Sequence, residues 1–111
     1  MSSTYNISAT QGNTLLLTLF ANDATGAPIN LNGYAARGYV KYRYSDTGYL
    51  IDLNPVIVAP YENGMVSISG DANVLAGTPV GSFVYDLEVY NGDYVIKFLK
   101  GYFDLYPESS V

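Results

Sequence analysis

The feature that most constrains this fold is a pair of long alternating segments joined at Asn91-Gly92. From Gly81 to Tyr106 the sequence reads GSFVYDLEVYNGDYVIKFLKGYFDLY, and apolar residues recur at every second position on both sides of the joint. Asn-Gly is a strong hairpin signal because both residues accept positive φ. The sequence therefore predicts a C-terminal hairpin at Asn91-Gly92, built from two long strands.

The register of this hairpin follows from the side chains that it places on each face. A two-residue loop at Asn91-Gly92 gives three apolar pairs, which are Val89 with Tyr94, Leu87 with Ile96, and Tyr85 with Phe98. On the other face it sets Asp86 opposite Lys97, an attractive pair. A loop longer by one residue would mix apolar and charged faces, so we expect the shorter one. The apolar positions later change parity, which predicts a β-bulge at Lys100-Gly101.

The rest of the chain predicts short strands separated by turns. The expected strands are Thr4–Thr10, Thr14–Ala21, Tyr34–Tyr44, Tyr49–Leu53, Val56–Ala59 and Met65–Ser69. Because Thr14–Ala21 (TLLLTLFA) is apolar at nearly every position, it indicates a strand buried on both faces. The turn-rich connection from Asn22 to Gly33 is typical of a crossing between two sheets. Gly70–Gly77 is the single helix candidate, of one turn at most.

About seven or eight strands with turn signals roughly every ten residues predict an all-β fold, an antiparallel β-sandwich or small barrel. A chain of 111 residues fits a single domain over residues 1–111. We expect residues 1–3 and 107–111 to be loosely ordered tails.

Composition excludes several classes of function. Five Lys and Arg against ten Asp and Glu give a formal charge of −5, which argues against nucleic acid and anionic membranes as partners. The chain has no Cys and no His, so it lacks thiolate metal ligands and the commonest general base. The first residues lack the basic and apolar regions of a signal peptide, and no apolar run approaches the length of a membrane-spanning helix, so we expect neither element. Charged residues make up only 14% of the chain, so the surface is built largely of uncharged polar residues and tyrosines. Such a surface suits packing against other proteins.

Few side chains form a pattern with chemical meaning. Asp86 and Glu88 lie two apart on one strand face, a spacing compatible with paired catalytic carboxylates. Lys97 opposite them favours an ordinary exposed face instead. Asp23 and Asp46, like Asp71, lie in separate loops and match no calcium-loop spacing, so turn chemistry explains them better. We therefore predict no catalytic, metal or cofactor-binding residue and no enzyme activity.

The alternating strand Tyr34–Tyr44 carries the best candidate for an interface. Its outward side presents three cations and a tyrosine, namely Arg37, Tyr39, Lys41 and Arg43. Three interpretations remain open. The side is an ordinary exposed sheet face, a protein contact in which Tyr and Arg supply the energy, or a lectin-like sugar platform.

Three segments over about the last two-thirds of the chain form a pattern when they are taken together. The segments are LNGYAARGYVKYRYSDTGYLIDL, GMVSISGDANVLAGTPVGSFVYDLEV and DYVIKFLKGYFDLYPE. The residues that carry the pattern are Gly33, Tyr34, Ala36, Arg37, Tyr85, Asp86, Leu87, Glu88, Gly101, Pro107 and Glu108. Their order and spacing resemble a family of small virion proteins from tailed phages and prophages. The resemblance implies an immunoglobulin-like β-sandwich that serves as a structural subunit and carries no activity.

On this resemblance we expect a virion component made in the bacterial host cytoplasm and held by other virion proteins in multiple copies. Whether the copies form a homo-oligomer stays open at this point. A tail, baseplate or fibre-attachment position is the first expectation, and capsid decoration is the alternative. A carbohydrate- or receptor-binding module that uses exposed tyrosines is the competing class.

Overall fold

Two β-sheets face each other across one core in the structure, a computed structural model that describes residues 3–107. The strands are β1 (Ser3–Thr4), β2 (Ile7–Thr10), β3 (Leu15–Phe20), β4 (Ala35–Lys41), β5 (Ile51–Asp52), β6 (Val56–Val58), β7 (Met65–Gly70), β8 (Gly81–Asn91) and β9 (Tyr94–Tyr106). One sheet has the order β1–β9–β8–β4–β5, with β2 also paired to β9, and the other has the order β3–β7–β6.

Alternation in the strands builds the core between the sheets. In β8 the buried residues are Phe83, Tyr85, Leu87 and Val89, and the residues between them are partly exposed. From the other sheet, β7 contributes Val66 and Ile68, which are fully buried. The period of two predicted from the sequence thus places one face of each sheet inside.

The strand order is that of an immunoglobulin-like sandwich. In that plan strands B, E and D form one sheet and strands C, F and G form the other. The positions of B, E and D are occupied here by β3, β7 and β6, and those of C, F and G by β4, β8 and β9. A short strand, β5, lies beside β4. The connection between β3 and β4 crosses from one sheet to the other, as predicted. The predicted immunoglobulin-like β-sandwich is therefore confirmed.

The C-terminal hairpin is confirmed, with its turn one residue further along than expected. Asn91 pairs with Tyr94, so the two-residue loop is Gly92-Asp93. Gly92 takes φ 59° at the first central position, where a type II′ turn favours glycine. The predicted register was wrong, since Val89 lies opposite Ile96. A shift of two residues leaves every side chain on its face, so the apolar pattern satisfies both registers.

The β-bulge in this hairpin lies before the predicted Lys100-Gly101. The ladder passes from the pair Glu88–Lys97 to the pair Leu87–Leu99. Phe98 is therefore the extra residue, and both Phe98 and Leu99 are buried. Beyond the bulge the predicted partners change: Asp86 lies opposite Lys100 instead of Lys97, and Tyr85 lies opposite Gly101 instead of Phe98.

The N-terminal segment pairs with β9 in parallel, which differs from a fully antiparallel sandwich. The predicted strand Thr4–Thr10 is split into β1 and β2, and both run alongside β9. The chain passes very close to β9 at Gly101, where a Cβ atom would overlap the carbonyl oxygen of Tyr5. The same carbonyl oxygen accepts a hydrogen bond from the Tyr85 hydroxyl in the core. Glycine at position 101 thus makes room for the parallel pairing.

The prediction that Thr14–Ala21 is buried on both faces was wrong. In β3 the side chains of Leu15 and Leu19 are buried, whereas Leu16 is 71% exposed and Phe20 is 57% exposed. The three-stranded sheet covers the core with one side only, and nothing within residues 3–107 packs over its other side. The apolar run therefore reflects one core face and one exposed apolar face.

The other predicted elements are present with changed bounds, and a 3-10 helix over Tyr61–Asn63 was not predicted. The helix α1 (Ala72–Ala76) has five residues, slightly more than the single turn predicted, and β4 ends at Lys41 instead of continuing to Tyr44. Within the described chain, no helix has the length and apolar character needed to cross a membrane. Of the predicted tails, Ser3 pairs with Leu99, and residues 1–2 and 108–111 lie outside the described residues.

Candidate protein-contact face

The outward side of the larger sheet gathers most of the chain's positive charge. We call it the charged face and define it by Arg37, Tyr39, Lys41, Asp86, Glu88, Tyr90, Lys97 and Lys100, which cross-strand pairing places on one side of β4, β8 and β9. Four of the five cations in the sequence lie there. The core sits behind this face because the alternate residues of the same strands point inward.

The charges on this face alternate across the sheet. Glu88 on β8 lies between Arg37 on β4 and Lys97 on β9. On the other side of the bulge, Asp86 lies opposite Lys100 on β9 and Tyr39 on β4. Each carboxylate therefore has a cation directly across the ladder, an arrangement that favours this strand order.

Arg37 is held in place by two neighbours on β8. Its Nε donates a hydrogen bond to Glu88 Oε1, and its guanidinium carbon lies 4.5 Å from the centre of the Tyr90 ring. The bond to Glu88 raises the pKa of Arg37 above its ordinary value. The side chain is 44% exposed, so the pair is worth only ~0–1 kcal/mol to the fold. The contacts orient the guanidinium more than they stabilise the domain.

Two tyrosines extend the face toward β5. The rings of Tyr39 and Tyr49 are stacked with their centres 4.6 Å apart and their planes at 23°. Tyr49 is 56% exposed, and Tyr39 is half-buried beneath it. Stacking fixes both rings in one orientation, which lowers the conformational entropy that a partner would have to remove.

The structure brings together three of the four residues predicted as an interface. Arg37, Tyr39 and Lys41 point outward from β4, but Arg43 lies beyond the end of the strand. The backbone N–H of Arg43 donates to a carboxylate oxygen of Asp46, and the Lys41 amino group donates to the carbonyl oxygen of the same residue. Arg43 therefore belongs to the turn after β4 and not to the charged face.

Sequence reasoning missed the contributions of β8 and β9 to this face. Glu88, Tyr90 and Lys100 join it through strand pairing, and the shifted register decides which cation meets which carboxylate. The signal was the alternation of charges in each strand, which becomes informative only once the strands are paired correctly.

The carboxylates are arranged as in turns and cross-strand ion pairs and not as in a catalytic site. Asp86 and Glu88 each face a cation, and neither has a His or Cys nearby because the chain contains none. Asp23 accepts hydrogen bonds from the Thr25 hydroxyl and from the backbone N–H groups of Thr25 and Ala27, and these bonds lower the pKa of Asp23. Across residues 3–107 there is no group of three His, Cys, Asp or Glu side chains placed to hold a metal ion.

A shallow groove borders the charged face at the turn between β4 and β5. Its volume is about 310 Å³, and its lining includes Tyr42, Asp46 and Tyr49. Tyr42 packs edge-on against Phe83 with ring centres 5.4 Å apart, so its position is fixed from the core side. Exposed aromatic rings beside a carboxylate are groups that contact sugar rings and hydroxyls in binding sites.

The fold and this face together define an immunoglobulin-like domain with an aromatic, charge-paired sheet surface. No protein-family model matches the chain, and no curated protein matches it. Among solved structures it is similar to a family 123 glycoside hydrolase from Clostridium perfringens, with 13% identity, a TM-score of 0.42, and coverage of 97% of this chain and 23% of that one. It is also similar to the extracellular fragment of novel immune-type receptor 11 from Ictalurus punctatus, with 13% identity, a TM-score of 0.41, and coverage of 100% and 90% respectively.

Proposed function

We propose that this protein is a non-enzymatic structural subunit of a bacteriophage particle and that it contacts neighbouring virion proteins through the charged face. The observation that carries the contact is the pairing of oriented Arg37 with stacked Tyr39 and Tyr49 on one rigid sheet. Tyr and Arg are enriched among the residues that dominate binding energy in protein interfaces. The assignment to a phage particle is supported by the sequence resemblance described above.

The weak contribution of the surface charges to folding supports a role in recognition. Exposed ion pairs add little to stability, whereas alternating charges on a docking surface fix the register of a partner and reject wrong ones. A partner with the complementary order of charges would satisfy both Glu88 and Lys97. A tail, baseplate or fibre-attachment position is our first choice, and capsid decoration is the alternative.

Quantitative mass spectrometry of purified particles tests this proposal. We expect the chain to be present at a fixed copy number, with tens of copies or fewer for a tail position and hundreds for capsid decoration. If the chain stays in the lysate and is absent from purified particles, the proposal is overturned.

A substitution in the charged face tests the contact itself. Tyr39→Ala removes the stacked ring and should reduce incorporation into particles at least about tenfold, which corresponds to ~1.4 kcal/mol of binding. Tyr61→Ala is the matched control because Tyr61 is an exposed tyrosine outside this face. Equal incorporation of the two variants would contradict the assignment of the face.

A carbohydrate-binding module is the second candidate, favoured by the groove that contains Tyr42 and Tyr49. Glycan-array binding by the isolated protein that is lost in Tyr39→Ala and Tyr49→Ala would support it. Absence of binding to any host-surface glycan would favour the structural subunit instead.

A further inference from the structure

We propose that β3 forms an antiparallel pair with β3 of a second copy of this chain, so that two three-stranded sheets join into one six-stranded sheet. This inference concerns the side of the sandwich opposite to the charged face. It does not depend on where the protein acts.

The first observation is that β3 has an unpaired edge. The Ala21 N–H donates to the carbonyl oxygen of Gly64, on the side of β7. Backbone groups alternate in direction along an antiparallel strand, so the N–H and C=O groups of Leu16, Thr18 and Phe20 point the other way. No strand pairs with that side within residues 3–107. An exposed edge of six residues offers a template for another strand.

The N-terminal segment leaves this edge open. In seven-stranded immunoglobulin domains the first strand lies beside strand B, the position that β3 takes here. In this chain β1 and β2 pair with β9 of the opposite sheet instead. Thr4 and Tyr5 line a groove of about 420 Å³ together with Thr18 and Phe20 of β3. The N-terminal segment therefore lies beside the edge of β3 without pairing with it.

The second observation is that β3 is complementary to itself. A two-fold pairing centred on Thr18 sets Thr18 opposite its own copy and Leu16 opposite Phe20 of the second chain. Because the N–H and C=O groups of Leu16, Thr18 and Phe20 point away from β7, each of these cross-strand pairs exchanges two backbone hydrogen bonds. The exposed apolar side chains then meet each other across the junction, and their polar neighbour meets its equivalent. Such a contact is isologous and closes as a dimer.

The third observation is the distribution of charge. The outward side of the three-stranded sheet has no charged residue in any of its strands, its members being Leu16, Thr18, Phe20, Val56, Val58, Met65, Ser67 and Ser69. A chain with a formal charge of −5 repels its copy over most surfaces. Two copies that pair along β3 therefore bring no like charges together from these strands, which favours a second copy over a charged partner.

The size of the contact indicates a reversible dimer. The five residues 16–20 of the two strands lie opposite one another and extend ~17 Å, and one sheet layer is ~10 Å thick. That area is well below the ~800 Å² per partner of a standard interface. We expect the dimer to dissociate on dilution and to be promoted by high local concentration.

Cysteine cross-linking tests the register directly because the chain contains no other cysteine. In the proposed dimer the two Thr18 Cα atoms are ~5.5 Å apart, within disulfide range, so Thr18→Cys should form a covalent dimer under mild oxidation. The two Leu16 Cα atoms are offset by four residues, ~13 Å, so Leu16→Cys should remain monomeric. A mixture of Leu16→Cys and Phe20→Cys chains should form the mixed dimer.

Sedimentation of the cysteine-free protein over a hundredfold concentration range provides the second measurement. Thr18→Lys places two like charges opposite each other and should abolish the dimer, while Val56→Lys, on the opposite edge strand β6, should leave it intact. The proposal is overturned if Thr18→Cys cross-links no faster than Leu16→Cys and the unmodified chain stays monomeric. The edge of β3 would then be available to a strand of another protein. That result would leave the charged-face proposal standing, since the two surfaces lie on opposite sides of the sandwich.

Discussion

At the residue scale, the hydroxyl of Tyr85 connects the last long hairpin to the start of the chain. It donates to the carbonyl oxygen of Tyr5, and the ring is buried. Tyr85→Phe leaves this carbonyl without its donor and should lower the free energy of unfolding by about 1–3 kcal/mol. Tyr44→Phe is the control, because Tyr44 donates to Gly101 from a half-exposed position and should cost less than about 0.5 kcal/mol. Denaturant titration of both variants checks the difference.

The same tyrosine predicts a loss of stability in alkali. Burial raises the pKa of Tyr85 above its ordinary value because it disfavours the ionised form. The contribution of this group is therefore complete below the unfolded-state pKa of about 10 and is lost as pH rises toward the folded-state pKa. The free energy of unfolding should fall above about pH 10 in the unmodified protein and less steeply in Tyr85→Phe. Parallel slopes in the two proteins would contradict this account.

Gly92 provides a further test of a single residue. Its φ of 59° lies in the left-handed region, and a Cβ atom there would meet no neighbour within 4 Å. Gly92→Ala should thus cost only the backbone strain, about 1–2 kcal/mol. Gly48→Ala, in an equally open turn without positive φ, should be close to neutral. A comparison of thermal unfolding midpoints separates the two.

At the scale of the element, the pairing of β1 and β2 with β9 depends on Gly101. Gly101→Ala would force the backbone of Tyr5 away and should destabilise the domain by about 2 kcal/mol. The Tyr5 N–H, which donates to the carbonyl oxygen of Lys100, should lose its protection from hydrogen exchange. Gly77→Ala is the control because its nearest neighbour would be 3.5 Å away. Unchanged protection at Tyr5 would show that β9 accommodates the methyl group in another way.

An element could be predicted where the residues that determine it lie close together in the sequence. The hairpin followed from Gly92 and from the alternation on both sides of it. The register did not, because the observed and predicted pairings put the same side chains on the same faces. The position of the bulge reflects the burial of Phe98 and Leu99 together, which involves contacts distant in sequence. The apolar run of β3 looked doubly buried because its pattern contains no information on what covers the second face.

For the candidate site, the sequence predicted the residues of one strand only. Arg37, Tyr39 and Lys41 followed from alternation, and Arg43 was included because the end of β4 at Lys41 has no sequence signal. Glu88 and Lys97 become part of the face through pairing between strands, which alternation within one strand does not define.

At the scale of the whole molecule, the sandwich has two unlike outer sides. One is the charged face, with paired ions and stacked tyrosines, and the other is the uncharged side of the three-stranded sheet with Leu16 and Phe20 exposed. The two proposed contacts differ in chemistry and lie on opposite sides, as expected for a subunit held between other chains. They also allow each contact to be tested without disturbing the other.

Lysine labelling in purified particles tests the central proposal most directly. The chain has three lysines, Lys41, Lys97 and Lys100, and all three lie on the charged face. If that face is covered by neighbouring virion proteins, the three amino groups should react several-fold more slowly in the particle than in the free protein, and cross-linkers should join them to another virion protein. Equal reactivity in the two states, or particles without this chain, would contradict the account.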